Sequence, residues 1–309
     1  MKKKLFFSLA IIAALLAPYF VSEIIPGTLN KIHEKKIYWD ASLSVKQIKI
    51  GQDLFEYAEG GKGPTVILLH GFQSDKKSMI GFATALMHKF HVILPDLSGH
   101  GGSSMHIGQH YDIRSLAKDL NKFIYALHLK DIHLIGTSTG GGVSVCCYLD
   151  NKDMVKTITL INPLGVKPPI NSVFQNALEK GKNLLFPSTL KEFDEFGCAL
   201  VGKPFPISNY LKKYFLQKLL MTRDFFQSAF AELIDSKPLD DELKEVNIPV
   251  LIIGARNDQI LHYTSYDVFH KNIDKSEYVL LEDATHVLVG DAVKEANIVL
   301  DKFLSAHTK

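Results

Sequence analysis

The stretch Gly136-Thr137-Ser138-Thr139-Gly140 sets a serine between two glycines. A serine hydroxyl attacks a carbonyl only with help. It needs a base to take its proton, an acid to hold that base, and N–H donors for the oxyanion that forms. The pentapeptide follows the apolar run Ile132-His133-Leu134-Ile135 and precedes Val143 to Leu149, which can wind as a helix. Strand, sharp turn and helix is the context in which G-x-S-x-G reads as a nucleophile elbow. Gly136 and Gly140 lack the Cβ atoms that would clash where backbone passes so close. Further along stand Asp258 and His286, in the order Ser…Asp…His that belongs to this kind of elbow. The pattern predicts acyl transfer, with Ser138 as nucleophile, His286 as base and then acid, and Asp258 fixing the imidazole. The backbone N–H groups of Thr139 and of Phe72, which follows His70-Gly71, would receive the oxyanion.

Other residues compete for these roles. Asp283 lies near His286 but too close along the chain to reach under the ring. Asn162 follows a strand, where an acid can sit, but an amide does not stabilise an imidazolium as a carboxylate does. His70 reads as a residue that orients the oxyanion loop. His106 and His110 have a helical ligand spacing, but Gly108 lies between them and no third ligand is evident, so no metal is expected. No cofactor motif is apparent. The three cysteines are too few for a disulfide framework, and Cys146 and Cys147 read as small buried hydrophobes.

Elements that could position these groups alternate along the chain. Lys46 to Ile50 and Leu54 to Tyr57 read as an antiparallel hairpin. Thr65 to Leu69, His91 to Leu94, Ile132 to Ile135, Thr157 to Ile161, Val250 to Ile253 and Glu277 to Leu281 read as short, fully buried strands. Helices are expected over Ser78 to Lys89, Ile113 to Leu127 and about Asp291 to Leu304. This alternation predicts an α/β fold with a mostly parallel sheet and helices on both faces. Residues 166–247 carry helical but almost no strand-like sequence, as an inserted helical cap would. His70, Ser138, Asp258 and His286 all fall just past strand ends, where open parallel sheets bind ligands.

The expected division is 1–22 as an N-terminal signal anchor, 23–45 as a polar linker, 46–165 and 248–309 as two parts of the core, and 166–247 as the cap. Lys2 to Lys4 precede the uncharged run Leu5 to Val21, which at 1.5 Å per residue can just span a bilayer core of about 30 Å. Phe20-Val21-Ser22 is a poor cleavage site, which favours an uncleaved anchor over a signal peptide that would release the protein. The amino-terminal lysines place the catalytic part on the outer side if the cell is bacterial. A net charge of +2 gives no reason to expect a nucleic-acid partner.

Taken together, the chain resembles the α/β-hydrolase superfamily from about Lys46 onward. The resemblance rests on His70-Gly71-Phe72, Asp96-Leu97-Ser98-Gly99-His100-Gly101, Gly136-Thr137-Ser138-Thr139-Gly140-Gly141, Asn257-Asp258-Gln259-Ile260-Leu261 and Thr285-His286. Within it the chain is similar to membrane-anchored monoacylglycerol lipases and related bacterial lipases, which also carry a Pro-Ser-Thr stretch in the cap, here Pro187-Ser188-Thr189. It departs from them at Thr139, where Met is usual, at Ser98, where Pro is usual, and at Thr285, where Gly is usual. The resemblance implies a serine hydrolase that cleaves apolar acyl esters or lipids at a membrane surface. Two alternatives stay open: a thioesterase or carbon–carbon bond hydrolase with the same triad, and a catalytically silent binding protein. In the cap, Phe215 and Phe226 belong to an apolar stripe that would line an acyl pocket or simply pack.

Overall fold

A computed structural model describes residues 25–308. The expected anchor at 1–22 lies outside them. No helix among the described residues is long and apolar enough to cross a membrane.

The short apolar runs become the centre of a sheet. Its strands are β1 (Ser44–Ile50), β2 (Asp53–Gly60), β3 (Thr65–Leu69), β4 (His91–Pro95), β5 (Ile132–Thr137), β6 (Val155–Ile161), β7 (Val250–Ala255) and β8 (Ser276–Leu281). They lie in the order β1-β2-β4-β3-β5-β6-β7-β8. The β1–β2 hairpin and the β2–β4 pair are antiparallel, and every later pairing is parallel. The carboxyl ends of β3, β5, β7 and β8 therefore share one edge.

Side chains alternate across the sheet with the period of two that a strand imposes. Ile67 and Leu69 join a core with Leu116, Phe123, Val143 and Tyr266, under helices α3 (Ile113–Ala126), α4 (Thr139–Asp150) and α9 (Thr264–Asn272). Val66 and Leu68 join Phe82, Leu86, Leu300 and Phe303 on the other face, under α2 (Ile80–Leu86) and α10 (Asp291–His307). Asp112 caps α3, its carboxylate accepting from the N–H groups of Arg114 and Ser115. A one-turn 3₁₀ segment, Lys76–Met79, opens the helix expected from Ser78.

Between β6 and β7 the chain leaves the sheet for α5 (Val173–Glu179), α6 (Leu190–Val201), α7 (Asn209–Met221) and α8 (Arg223–Asp235). The segment expected as a polar linker, 23–45, differs from its expectation. Ile25–Asp40 is a helix, α1, whose Tyr38 packs on the α2/α10 face of the core. Lys77 Nζ lies 2.9 Å from Glu34 and fastens α1 to the segment after β3. Its sequence has little amphipathic periodicity, so tertiary contacts, and not its own pattern, hold it to the core.

Candidate active site

β5 and α4 meet at Ser138, whose backbone is forced to φ 53° and ψ −119°. For a non-glycine residue this is strained, and the surroundings hold it in place. Ser138 N–H donates to Ile161 O at 3.0 Å, while Ser138 O accepts from Gly141 and Leu164, both at 2.9 Å. The glycines are required sterically. A Cβ on Gly136 would overlap the Gly140 carbonyl, and one on Gly140 would stand 2.6 Å from the carbonyl oxygens of Leu69 and His70. The end of β3 thus runs directly against the elbow.

Three sequence-distant side chains come together here. Ser138 Oγ is 3.1 Å from His286 Nε2. His286 Nδ1 is 2.7 Å from Asp258 Oδ2. Both His286 and Asp258 are buried. Asp258 Oδ1 accepts from the N–H groups of Ile260 (2.8 Å) and Leu261 (2.9 Å), so the turn after β7 fixes the carboxylate before the ring meets it. A hydroxyl placed in this way can pass its proton to the ring, and the carboxylate can hold the ring in the tautomer that receives it. Asp283 is exposed in the turn after β8 and takes no part. Asn162 supports the site from beneath: fully buried at φ 45°, it accepts from Ala255 N–H (2.8 Å) and donates to His286 O (2.9 Å).

Gly71 approaches so closely that a Cβ on it would lie 3.1 Å from Ser138 Cβ. Phe72 and Thr139, whose N–H groups are the expected oxyanion donors, both line a cavity beside Ser138. Thr139 is the first residue of α4, where a backbone N–H has no partner within the helix. His70 braces this loop. Its Nε2 accepts from Leu97 N–H at 3.0 Å, which leaves the proton on Nδ1 to be donated to Gly71 O at 2.8 Å. Complete burial pulls its pKa down to about 4, and burial together with the neighbouring His70 pulls His100 to about 3. Both rings are therefore neutral supports. His106 and His110 face different carboxylates, Asp53 and Glu232. Burial pushes the Cys146 thiol up to about 12, so it packs as an inert hydrophobe.

Tyr266 was not visible as a site residue in the sequence. Its ring is fully buried on α9 and its hydroxyl donates to Asp258 Oδ2, the oxygen that also faces His286. Burial and the adjacent carboxylate hold its pKa well above the ordinary value, so it stays a donor. Its place in the first turn of α9, eight residues after Asp258, is the signal the sequence offers for it.

Two cavities open at Ser138, of about 330 Å³ and about 210 Å³, and Phe72, Leu185 and Ile260 line both. The larger runs beneath the cap, against Phe174, Leu178 and Phe230. The smaller runs past His286 to Met79, Phe196 and Leu200. Phe215 and Phe226 line neither, contrary to expectation. Phe215 packs on Tyr214, with ring centroids 5.4 Å apart. Phe226 turns to Phe72 (5.5 Å) and His100 (5.2 Å), behind the His70-Gly71-Phe72 loop, and it is Phe230, one turn on, that reaches the cavity.

A family model described as the alpha/beta hydrolase fold matches residues 64–194. Monoacylglycerol lipase abhd6-B of Xenopus laevis is 28% identical over 288 residues, 87% of this chain and 85% of that protein. Lipase 1 of Psychrobacter immobilis is 26% identical over 263 residues, 82% of each. The crystal structure of a membrane phospholipase A, described as a bacterial virulence factor, superposes with a TM-score of 0.88 at 27% identity over 99% of both chains. The chain has the α/β-hydrolase fold, and these lipase relatives are carboxylic ester hydrolases by name.

Proposed function

We propose that this chain is a serine-dependent carboxylic ester hydrolase that cleaves single-chain lipid esters of the monoacylglycerol type. The observation that carries the reading is the chain of contacts from Ser138 Oγ through His286 to Asp258, placed where two cavities meet. Ser138 Oγ attacks the ester carbonyl as His286 Nε2 takes its proton. Negative charge develops on the carbonyl oxygen toward the N–H groups of Phe72 and Thr139. His286 then gives its proton to the departing alkoxide, leaving an acyl-enzyme, and water activated by the same ring releases the acid. Asp258 holds the ring and stabilises its charged form throughout.

The cavities divide the substrate. The leaving oxygen must sit near His286, which borders the smaller cavity, so the alcohol lies there and the acyl chain lies in the larger one beneath the cap. Relatives named as monoacylglycerol lipases and lipases support a lipid ester as substrate. The apolar run at 5–21 would hold the protein at a membrane, uncleaved, with the catalytic part outside if the cell is bacterial. Intact mass of the native protein tests the anchor, and a mature chain starting near Glu23 would count against it.

Substrate preference is read with ester panels. Each methylene buried adds about 0.8 kcal/mol, so four buried only in the productive complex raise kcat/KM by about two orders of magnitude. Activity should climb from acetyl to medium-chain esters, about C6 to C12, and monoacylglycerol should outperform triacylglycerol. A preference for acetyl esters, or for a thioester of equal chain length, would refute the substrate assignment.

A further inference from the structure

The cap is joined to the core at the turn that carries Asp258. Phe174 N–H donates to Gln259 O at 2.8 Å, and Ser172 Oγ donates to Ile260 O at 2.8 Å. Residue Ile260 is thereby held at both of its backbone polar groups. Its N–H donates to Asp258 Oδ1, and its C=O accepts from the cap. Ser172 is itself fixed. It is buried and serves as the N-cap of α5, where its Oγ accepts from Gln175 N–H at 3.1 Å and its own N–H donates to Gln175 Oε1 at 2.8 Å. The hydroxyl has one proton, and Ile260 O receives it. The same helix supplies Phe174, Gln175 and Leu178 to the larger cavity.

We infer that Ser172 is a positioning residue for the Asp258 carboxylate, through which the cap completes the catalytic centre as well as covering the acyl chain. The inference rests on the assignment of Ser138, His286 and Asp258 proposed above. A capping box alone requires only that the hydroxyl accept from the helix. Here it also donates out of the helix, to the Ile260 carbonyl, whose peptide group carries the Leu261 N–H, one of the two that grip the acid. A carboxylate released at that peptide lets the imidazole drift from Ser138, and small misplacements of reacting groups cost large factors in rate.

The full-length Ser172→Ala protein tests this, with Ser172→Gly beside it, because glycine is well tolerated as an N-cap and spares the helix. Two readouts are taken: the rate of labelling of Ser138 by a small fluorophosphonate, and kcat and KM on acetyl and octanoyl p-nitrophenyl esters. Labelling and kcat should fall about tenfold on both esters alike with KM nearly unchanged, and Ser172→Thr should restore them. If Ser172 only shapes the acyl cavity, KM for the octanoyl ester alone will rise, and the inference is overturned. Wild-type labelling rates in both Ala and Gly variants would overturn it equally. Absence of labelling in the wild-type protein would instead count against the proposed hydrolase.

Discussion

Acidification should destabilise this fold well before its surface carboxylates titrate. Burial drives the pKa of His70 to about 4, of His100 to about 3 and of His133 to about 4, below the ordinary histidine value of about 6.5. The native state therefore keeps these rings neutral while the unfolded chain binds protons on them. The stability they confer is complete above about pH 6.5 and is lost as pH falls toward the folded values. Between pH 7 and pH 5 each ring forfeits about 2 kcal/mol, and the three together about 6 kcal/mol, a large part of a typical folding free energy. Asp96 works in the opposite sense, since burial raises its carboxyl and the fold binds that proton more readily, so the observed total is somewhat smaller. His133 offers the cleanest control. It lies away from the elbow, with Nδ1 2.8 Å from Thr157 Oγ1, and glutamine can keep that contact. Urea unfolding at intervals from pH 7 to pH 5 should show the drop, and His133→Gln should lose about 2 kcal/mol less over the same range. A flat wild-type profile, or the same slope in both proteins, would show that these buried rings do not set the pH dependence.

Tyr266→Phe keeps the buried ring and removes one of the donors on Asp258 Oδ2. Stability should fall by about 1.5–3 kcal/mol in urea unfolding at neutral pH, because the lost bond is to a charged group, and unchanged stability would count against it. Gly136→Ala should abolish soluble expression, since the new methyl would meet the Gly140 backbone. Gly108→Ala, in open space at φ 85°, should cost only about 1 kcal/mol by thermal unfolding, and equal effects of the two would show that the elbow is less tightly packed than described.

The sheet was legible because buried parallel strands are continuous apolar runs, and Thr65 to Leu69 or Val250 to Ile253 offer little competing pattern. Ser138, Asp258 and His286 were legible because each stands where an apolar run stops, beside residues suited to turns. What escaped is what only packing decides. α1 has no strong periodicity and is held by contacts such as Lys77 with Glu34. Tyr266 looks like any aromatic on a core helix until its hydroxyl is seen against Asp258. Among the cap phenylalanines, Phe226 and Phe230 lie one turn apart on α8, yet the first braces the loop at Phe72 and the second lines the cavity. An apolar stripe states which face is buried, and not whether it meets protein or a void. Ser172 reads as an ordinary N-cap, because its second bond reaches a loop 88 residues away.

The proposed chemistry makes Ser138 a nucleophile activated by His286. Labelling with a fluorophosphonate followed by peptide mass spectrometry tests it most directly. One modified site, Ser138, is expected in the wild-type protein, with labelling and ester turnover both lost in Ser138→Ala at unchanged thermal stability. Ester hydrolysis persisting at the wild-type rate in Ser138→Ala, or a label found on another residue, would contradict it.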